Sequence, residues 1–291
     1  MKGKSISLIG IAACIAIAST IGVAGSDGGI TLGRLPVFML CGFAAFVIQW
    51  LVFVPAYRFQ TEKYYDLTGS LTYTSLAIGA LMASGSHEPG AILICAMVLI
   101  WAVRLGSFLF IRIQADGKDV RFDKIKPNFM RFLMTWTLQG LWVFITFAAG
   151  LAAITSGKPH PVSTVVVVGG LMWLFGFSIE VIADRQKRKF RETAQNRETF
   201  IRHGLWRWSR HPNYFGEICL WTGVAVMAYP VLSGWQFVTL ISPIFVYLLL
   251  TQVSGVKMLE ARGRKRWGAN EEYQHYLKTT PALMLNPWAG R

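Results

Sequence analysis

Eight apolar runs, most of them close to the length of a membrane-crossing helix, limit this chain more than any other feature. They cover residues 6–23, 35–56, 66–84, 90–113, 132–154, 162–183, 214–230 and 234–253. A bilayer interior takes about 20 apolar residues per helical crossing. Because it offers the backbone no water, each segment must satisfy its own hydrogen bonds, so helices are the expected form. The pattern predicts an all-α fold, a polytopic transmembrane helical bundle of about eight spans. Composition agrees, with 53% hydrophobic and 15% charged residues and a mean hydropathy of +0.43, values outside the soluble range. Residues 1–34 read as a first span with its connecting loop, and 35–291 as the main transmembrane domain with a polar C-terminal tail. Lys2 and Lys4, an apolar run and Ala24-Gly25-Ser26 also resemble a signal peptide. That run is longer than the usual signal core of about 7–15 residues, so a retained span is expected.

The formal net charge of +14 is gathered in short segments between the runs. Lys2 and Lys4, Arg58 and Lys63, the loop from Arg112 to Arg131, the stretch 184–217 and the tail from Lys257 all fall on one side when eight spans are counted. The opposite loops offer Arg34 and Lys158. The excess of Lys and Arg marks the cytoplasmic face and places both termini there. A charge this high would suggest nucleic acid in a soluble protein. Confined to span ends, it points instead to membrane lipid headgroups or a phosphorylated ligand, and no nucleic acid partner is expected. The four cysteines sit far apart inside apolar runs, and the five histidines form no ligand pair, so neither a disulfide framework nor a metal site is expected.

The most basic stretch, ADRQKRKFRETAQNRETFIRHGLWRWSRHPNYFGE at 183–217, joins two apolar runs. Asp184, Arg188 and Arg191 recur at i, i+4 and i+7, one face of a helix continuing the preceding span. In Arg210-His211-Pro212-Asn213-Tyr214 the proline is placed to open a helix with His211 as its cap, since its missing N–H is not needed there. Asn213, Glu217 and Trp221 then form a stripe at i, i+4 and i+8 among apolar residues. A lipid-facing Glu is costly, so that stripe should face protein or a wet cavity. Arg104 and Arg112 lie eight residues apart on the fourth run. These arginines could grip phosphate, with Asp184, Asn213 and Glu217 left for hydroxyl and amide groups. The alternatives are an internal ion-pair network, or a basic loop placed only for topology.

The run GLWRWSRHPNYFGE (204–217), with EVIADRQKRKF (180–190) before it and W-x-x-R-L at 101–105, resembles a bacterial membrane-protein family of unassigned function allied to the steroid 5-alpha-reductase C-terminal domain. The resemblance covers roughly residues 35–288 and implies a steroid 5-alpha-reductase-like bundle in a bacterial inner membrane. The wider superfamily includes NADPH-dependent steroid and sterol reductases and the isoprenylcysteine carboxyl methyltransferases. By resemblance to the reductases, Asp184, Arg188, Arg191, Asn213 and Glu217 match cofactor-contacting positions, as does Arg104 on an earlier helix. Arg210, His211 and Tyr214 are added as neighbours in the same motif, and Arg112 by its spacing of eight from Arg104. At the substrate end the reductases use a Gln-Glu pair and a Tyr to polarise an enone carbonyl. The corresponding loop here offers Gln60 and Glu62, with Tyr64 and Tyr65 beside them. Trp101 stands where that Tyr would align; its N–H donates a hydrogen bond but is no practical proton donor, and Tyr64, Tyr65 or Tyr73 would have to replace the phenol.

The expected activity is therefore NADPH-dependent reduction of a double bond conjugated to a carbonyl in a steroid-like or other lipidic substrate. Two alternatives stand beside it. One is an S-adenosylmethionine-dependent methyltransferase sharing the R-H-P-x-Y architecture, and the other is a non-enzymatic lipid-binding membrane protein.

Overall fold

The protein is described by a computed structural model over residues 2–196 and 198–289; residues 290–291 of the expected main domain lie outside the described residues. The long helices are α1 (Lys2–Gly25), α2 (Val37–Arg58), α3 (Tyr65–Ser84), α4 (Pro89–Asp116), α5 (Phe129–Ile154) and α6 (Thr164–Glu192). A short α7 (Leu205–Trp208) precedes α8 (Pro212–Ala228), α9 (Ser242–Leu248), α10 (Val256–Trp267) and α11 (Glu271–Thr279). Between α1 and α2, β1 (Thr31–Leu32) pairs antiparallel with β2 (Leu35–Pro36). Gly33 turns this hairpin at φ +62°, a conformation that costs glycine little.

Among the described residues seven stretches are long and apolar enough to cross a membrane, one fewer than the runs read from the sequence. The missing one is α3, where Asp66, three Thr, three Ser and two Gly dilute the apolar residues. It is a full helix nonetheless, and much of what it buries is small or polar: Thr68, Gly69, Ser70 and Thr72. The last run also differs from a regular span. A 3-10 segment (Gly234–Ile241), α9 and a π turn (Leu249–Val253) follow one another before α10. The final crossing stretch accordingly extends over Gly234–Trp267. This is an integral membrane protein of the all-α polytopic class.

The chain divides into two compact units. The first comprises Met1–Val166 with Ala225–Ser242. At its centre is α5, buried along almost all of its second half, with α1, α2, α3, α4 and the 3-10 segment packed around it. Such a helix, apolar on all sides, belongs in a bundle interior rather than at its surface. Gly42 of α2 leaves room for the Phe144 ring: a Cβ there would stand 2.8 Å from it. At one end, Phe53, Ala56, Phe122, Phe132 and Trp136 form a core that pulls the α4–α5 loop inward through Phe122. At the other end, Ile30 N–H donates to Thr155 O at 2.8 Å and Gly90 N–H donates to His160 O at 2.8 Å, pinning the α5–α6 connection.

The second unit comprises Val167–Val224 and Pro243–Arg291. Its frame is the pair α6 and α8, which touch backbone to backbone. A Cβ at Gly216 would stand 2.5 Å from Gly176 O and 2.7 Å from Glu180 N, and one at Gly176 would stand 2.5 Å from Gly216 O. Small residues at membrane helix contacts permit this closeness. Farther along, Gly223 meets Gly169 O at 2.6 Å in the same sense. Gly216→Ala and Gly176→Ala should each push the two helices apart and cost about 1–3 kcal/mol by overpacking. Thermal unfolding in detergent should show both midpoints lowered, whereas Gly79→Ala, whose added methyl meets nothing within 4 Å, should leave the midpoint unchanged or raise it.

Candidate functional site

The contact between α6 and α8 determines which side chains meet at their polar end. Pro212 opens α8, and the carbonyl of His211 accepts from Tyr214 N–H at 3.1 Å and Phe215 N–H at 3.2 Å, so His211 caps the helix as its position suggests. At the second position of α8, Asn213 Nδ2 donates to Asp184 Oδ1 across the pair at 3.3 Å. Asp184 is 6% exposed, and Glu180, one turn earlier on the same face of α6, is 2% exposed. Glu217 is half-buried on α8, one turn past Asn213 and next to the Gly216 contact. Two carboxylates, an amide and a third carboxylate therefore occupy one short length of the α6–α8 pair. Asn213 Oδ1 is buried there with no hydrogen-bond partner among the described residues. Glu180 lies inside the quoted EVIADRQKRKF motif but was not singled out; its spacing of four from Asp184 is the signal that marks it.

Beyond these groups α6 continues outward as a basic helix. Arg188 is exposed and pairs with Glu192 at 3.6 Å, and Arg191 is exposed one turn on. Arg210 has a different setting. Its Nε and Nη2 donate to Glu260 Oε1 at 3.0 and 2.6 Å, while Nη1 donates to the carbonyls of Leu277, at 2.8 Å, and Thr280. Expected at the cofactor, Arg210 thus ties α8's entry to α10 and to the end of α11. The tail is held further by Tyr276, whose hydroxyl donates to Trp206 O at 2.6 Å, and by Trp206, whose indole N–H donates to Ala183 O at 3.0 Å. Burial pushes the Tyr276 phenol up, so it stays protonated as the donor. His211 is buried, stacks on Tyr214 at 5.5 Å and places Nε2 3.7 Å from Glu260, beyond hydrogen-bond distance. Neither of its ring nitrogens has a hydrogen-bond partner. Burial lowers its pKa, which leaves the ring neutral at pH 7.

Outside the apolar part of this unit lies a cavity of about 260 Å³, lined by Phe190, Phe200, His203 and Trp267 with Asn270 and Glu272. Arg202 and Arg266 guanidinium groups stand over the Phe200 and Trp267 rings at 5.8 and 5.2 Å. The sequence reading passed over this cavity. Its one signal is the presence of aromatic residues in a charged segment that membrane anchoring does not require.

The remaining expected residues belong to the first unit. Glu62 is buried, accepting from Asp119 N–H at 2.8 Å and from Lys126 Nζ, so it joins the α2–α3 and α4–α5 connections. Tyr65 donates its hydroxyl to Thr135 O at 3.0 Å and packs edge-on to Trp136. Gln60 is exposed at φ +51°, its Nε2 donating to Tyr57 O at 2.7 Å, and Tyr64 is exposed beside Phe110. Arg112 pairs with Asp66 at 3.5 Å, and Arg104 lies over Phe108 at 5.3 Å. Burial alone would raise the Asp119 carboxyl, but the hydrogen bonds from Arg121 outweigh it and hold it below its ordinary range. Trp101 is buried with its ring edge-on to Tyr73 at 5.0 Å. Among the described residues no three His, Cys, Asp or Glu side chains gather as metal ligands would.

Removing Arg210 would leave Glu260 without its guanidinium and release two carbonyls of the tail. Arg210→Ala is therefore expected to cost up to about 3 kcal/mol, the lower end for a fully buried pair, since this pair is partly buried. Limited proteolysis should then cut between α10 and the C-terminus in this variant at temperatures where the parent chain resists, with Arg210→Lys intermediate.

Residues 52–280 match the model of the family DUF1295, described as a protein of unknown function. The chain is also 31% identical over 71 residues to 3-oxo-5-alpha-steroid 4-dehydrogenase 1 of Bos taurus, a match covering 24% of this chain. It spans about a quarter, 27%, of that relative's length. No solved structure matches. With most of its length inside the family model, including the α6–α8 pair and the tail that Arg210 secures, the chain belongs to the DUF1295 family.

Proposed function

We propose that this protein is an NADPH-dependent membrane reductase that saturates a double bond conjugated to a carbonyl in a lipidic substrate. The observation that carries the reading is the buried Asp184–Asn213 pair, with the unpartnered Asn213 Oδ1 and His211 nitrogens beside it and two exposed arginines on the outward end of the same helix. Buried polar atoms without partners are uncommon in folded proteins and are satisfied by a ligand, water or ion. Polar groups at membrane depth mark functional sites by default. The similarity to an enzyme named for dehydrogenating a 3-oxo steroid supports the reaction class, because a dehydrogenation run in reverse is a reduction.

The residues fit a dinucleotide in character. Arg188 and Arg191 present planar forks that match phosphate oxygens. Asp184, Glu180 and Glu217 accept from ribose hydroxyls, and Asn213 complements a carboxamide through its free Oδ1. The aromatic cavity suits a nucleobase, with ring faces for stacking and Asn270 for its polar edge. When bound, the cofactor supplies the hydride; the protein positions it and excludes water. Glu260 and Arg210 hold the tail over the start of α8 and so keep His211 and Asn213 in place. Within the first unit, Gln60 and Tyr64 expose polar groups of the kind that bind a carbonyl. Glu62 and Tyr65 fix the loop that carries them.

Purified protein should be stabilised thermally by NADPH and not by S-adenosylmethionine, which carries no phosphate for the arginines. Stabilisation by S-adenosylmethionine alone would favour the methyltransferase alternative and overturn this reading. Arg188→Lys and Arg191→Lys keep the charge but lose the fork. Each variant should insert normally and bind NADPH more weakly, by on the order of 1–3 kcal/mol, as titration calorimetry would record. Unchanged affinity in both would leave these arginines a purely topological role.

A further inference from the structure

A second polar site lies in the first unit, inside its helix bundle, and it does not depend on the cofactor reading. Helices α2 and α5 run antiparallel: Gly140 would meet Phe46 at 3.2 Å through an added Cβ, and Trp50 Nε1 donates to Thr137 Oγ1 at 3.0 Å. Gln49 and Gln139 therefore sit at one level of the pair, well inside segments long and apolar enough to cross the membrane. Both reach the third helix. Gln49 Nε2 donates to Thr72 Oγ1 at 2.8 Å, and Gln139 Nε2 donates to Tyr65 O at 3.0 Å. Gly69, between those two contacts on α3, makes room for the second amide: a Cβ there would stand 2.5 Å from Gln139 Nε2.

Each glutamine thus uses half of its amide. Gln49 is fully buried and Gln139 is 8% exposed, yet neither Oε1 has a hydrogen-bond partner. One turn before Gln139, the fully buried Trp136 leaves its indole N–H without a partner as well. Among the described residues two acceptors and one donor are left open beside the two α3 turns that separate Tyr65 from Thr72, where hydrocarbon satisfies none of them. A bundle needing only apolar packing would place leucine at positions 49 and 139, and a closed polar network would pair both halves of each amide.

We infer that the junction of α2, α3 and α5 is a binding site for a hydroxyl group, that of an ordered water or of a lipidic alcohol. A hydroxyl is the small group that donates one hydrogen bond and accepts others, so it can give its proton to the Gln139 amide oxygen while taking the N–H of Trp136, one α5 turn away and packed on Tyr65. Water fills such a role where a polar pocket offers two to four partners. A lipidic alcohol would enter from the bilayer with its skeleton among the apolar side chains of α2 and α5.

The test uses the full chain in detergent with cholestanol and cholestane, two skeletons of one size that differ by a hydroxyl, together with magnetic relaxation dispersion of water for long-lived internal molecules. If the occupant is a lipidic alcohol, cholestanol raises the unfolding midpoint more than cholestane, and Gln49→Leu or Gln139→Leu abolishes that difference. If it is water, the two sterols act alike, and the long-lived water signal of the parent chain falls in either leucine variant. The inference is overturned if the sterols act alike and the water signal is the same in parent and variants. Should the leucine variants fail to fold, the parent chain alone decides, because sterols acting alike together with no long-lived water overturns it equally.

Discussion

The approach of Gly176 to Gly216 is the contact on which the candidate site depends. Two helices carrying ordinary side chains pack about 8–10 Å apart, a separation that would leave a short side chain such as Asn213 reaching into space. With hydrogens in place of side chains at the crossing, the α6 and α8 backbones touch, and one turn away Asn213 spans the gap to Asp184. The carboxylates on α6 are then buried by geometry. Asp184 is tolerable there because the Asn213 amide donates to it and the helix's outward end carries cations. Polarity within an apolar frame is a consequence of how close that frame is drawn.

The first unit depends on α5 in a comparable way. Enclosed by four helices and a 3-10 segment, α5 has no lipid-facing side along most of its length, so its residues answer to packing instead of to the bilayer. This is why Thr137, Gln139 and Thr146 can occur in it, and why α3, facing it with Thr68, Gly69 and Thr72, needs no uniform apolarity. Hydropathy judges a helix as though lipid surrounded it. In α3 it underrates a helix whose polar face meets other polar groups.

The sequence made the architecture legible because length and apolarity are imposed by the bilayer and need no knowledge of partners. The helix opening at Pro212, with His211 as its cap, was equally legible, since proline acts through its own backbone. Partners were harder to read. Arg188, Arg191 and Arg210 look alike in a basic stretch, yet Arg210 is sequestered by Glu260, fifty residues away in sequence, and by carbonyls of a tail whose path no local pattern specifies. Glu62 and Tyr65, expected to be chemical, also hold the unit together, because Asp119 and Lys126 reach Glu62 from the α4–α5 connection and Thr135 meets Tyr65 from α5. The aromatic cavity escaped notice for the same reason, since Phe200 and Trp267 meet only once α10 folds back.

Within that basic stretch, burial divides the work between charges of one kind. A guanidinium drawn into a low-dielectric setting must have its donors met, and for Arg210 a carboxylate and two carbonyls do so, which makes it a fixed strut. Arg188, more than half exposed and paired with the exposed Glu192, gives up little to exchange that partner, because an exposed pair is worth roughly 0–1 kcal/mol. Arginines of one stretch thus differ in setting, Arg210 a partly buried strut and Arg188 a surface side chain in a weak pair. The difference between them lies in what has folded over each, and the tail that covers Arg210 stops short of enclosing Arg188.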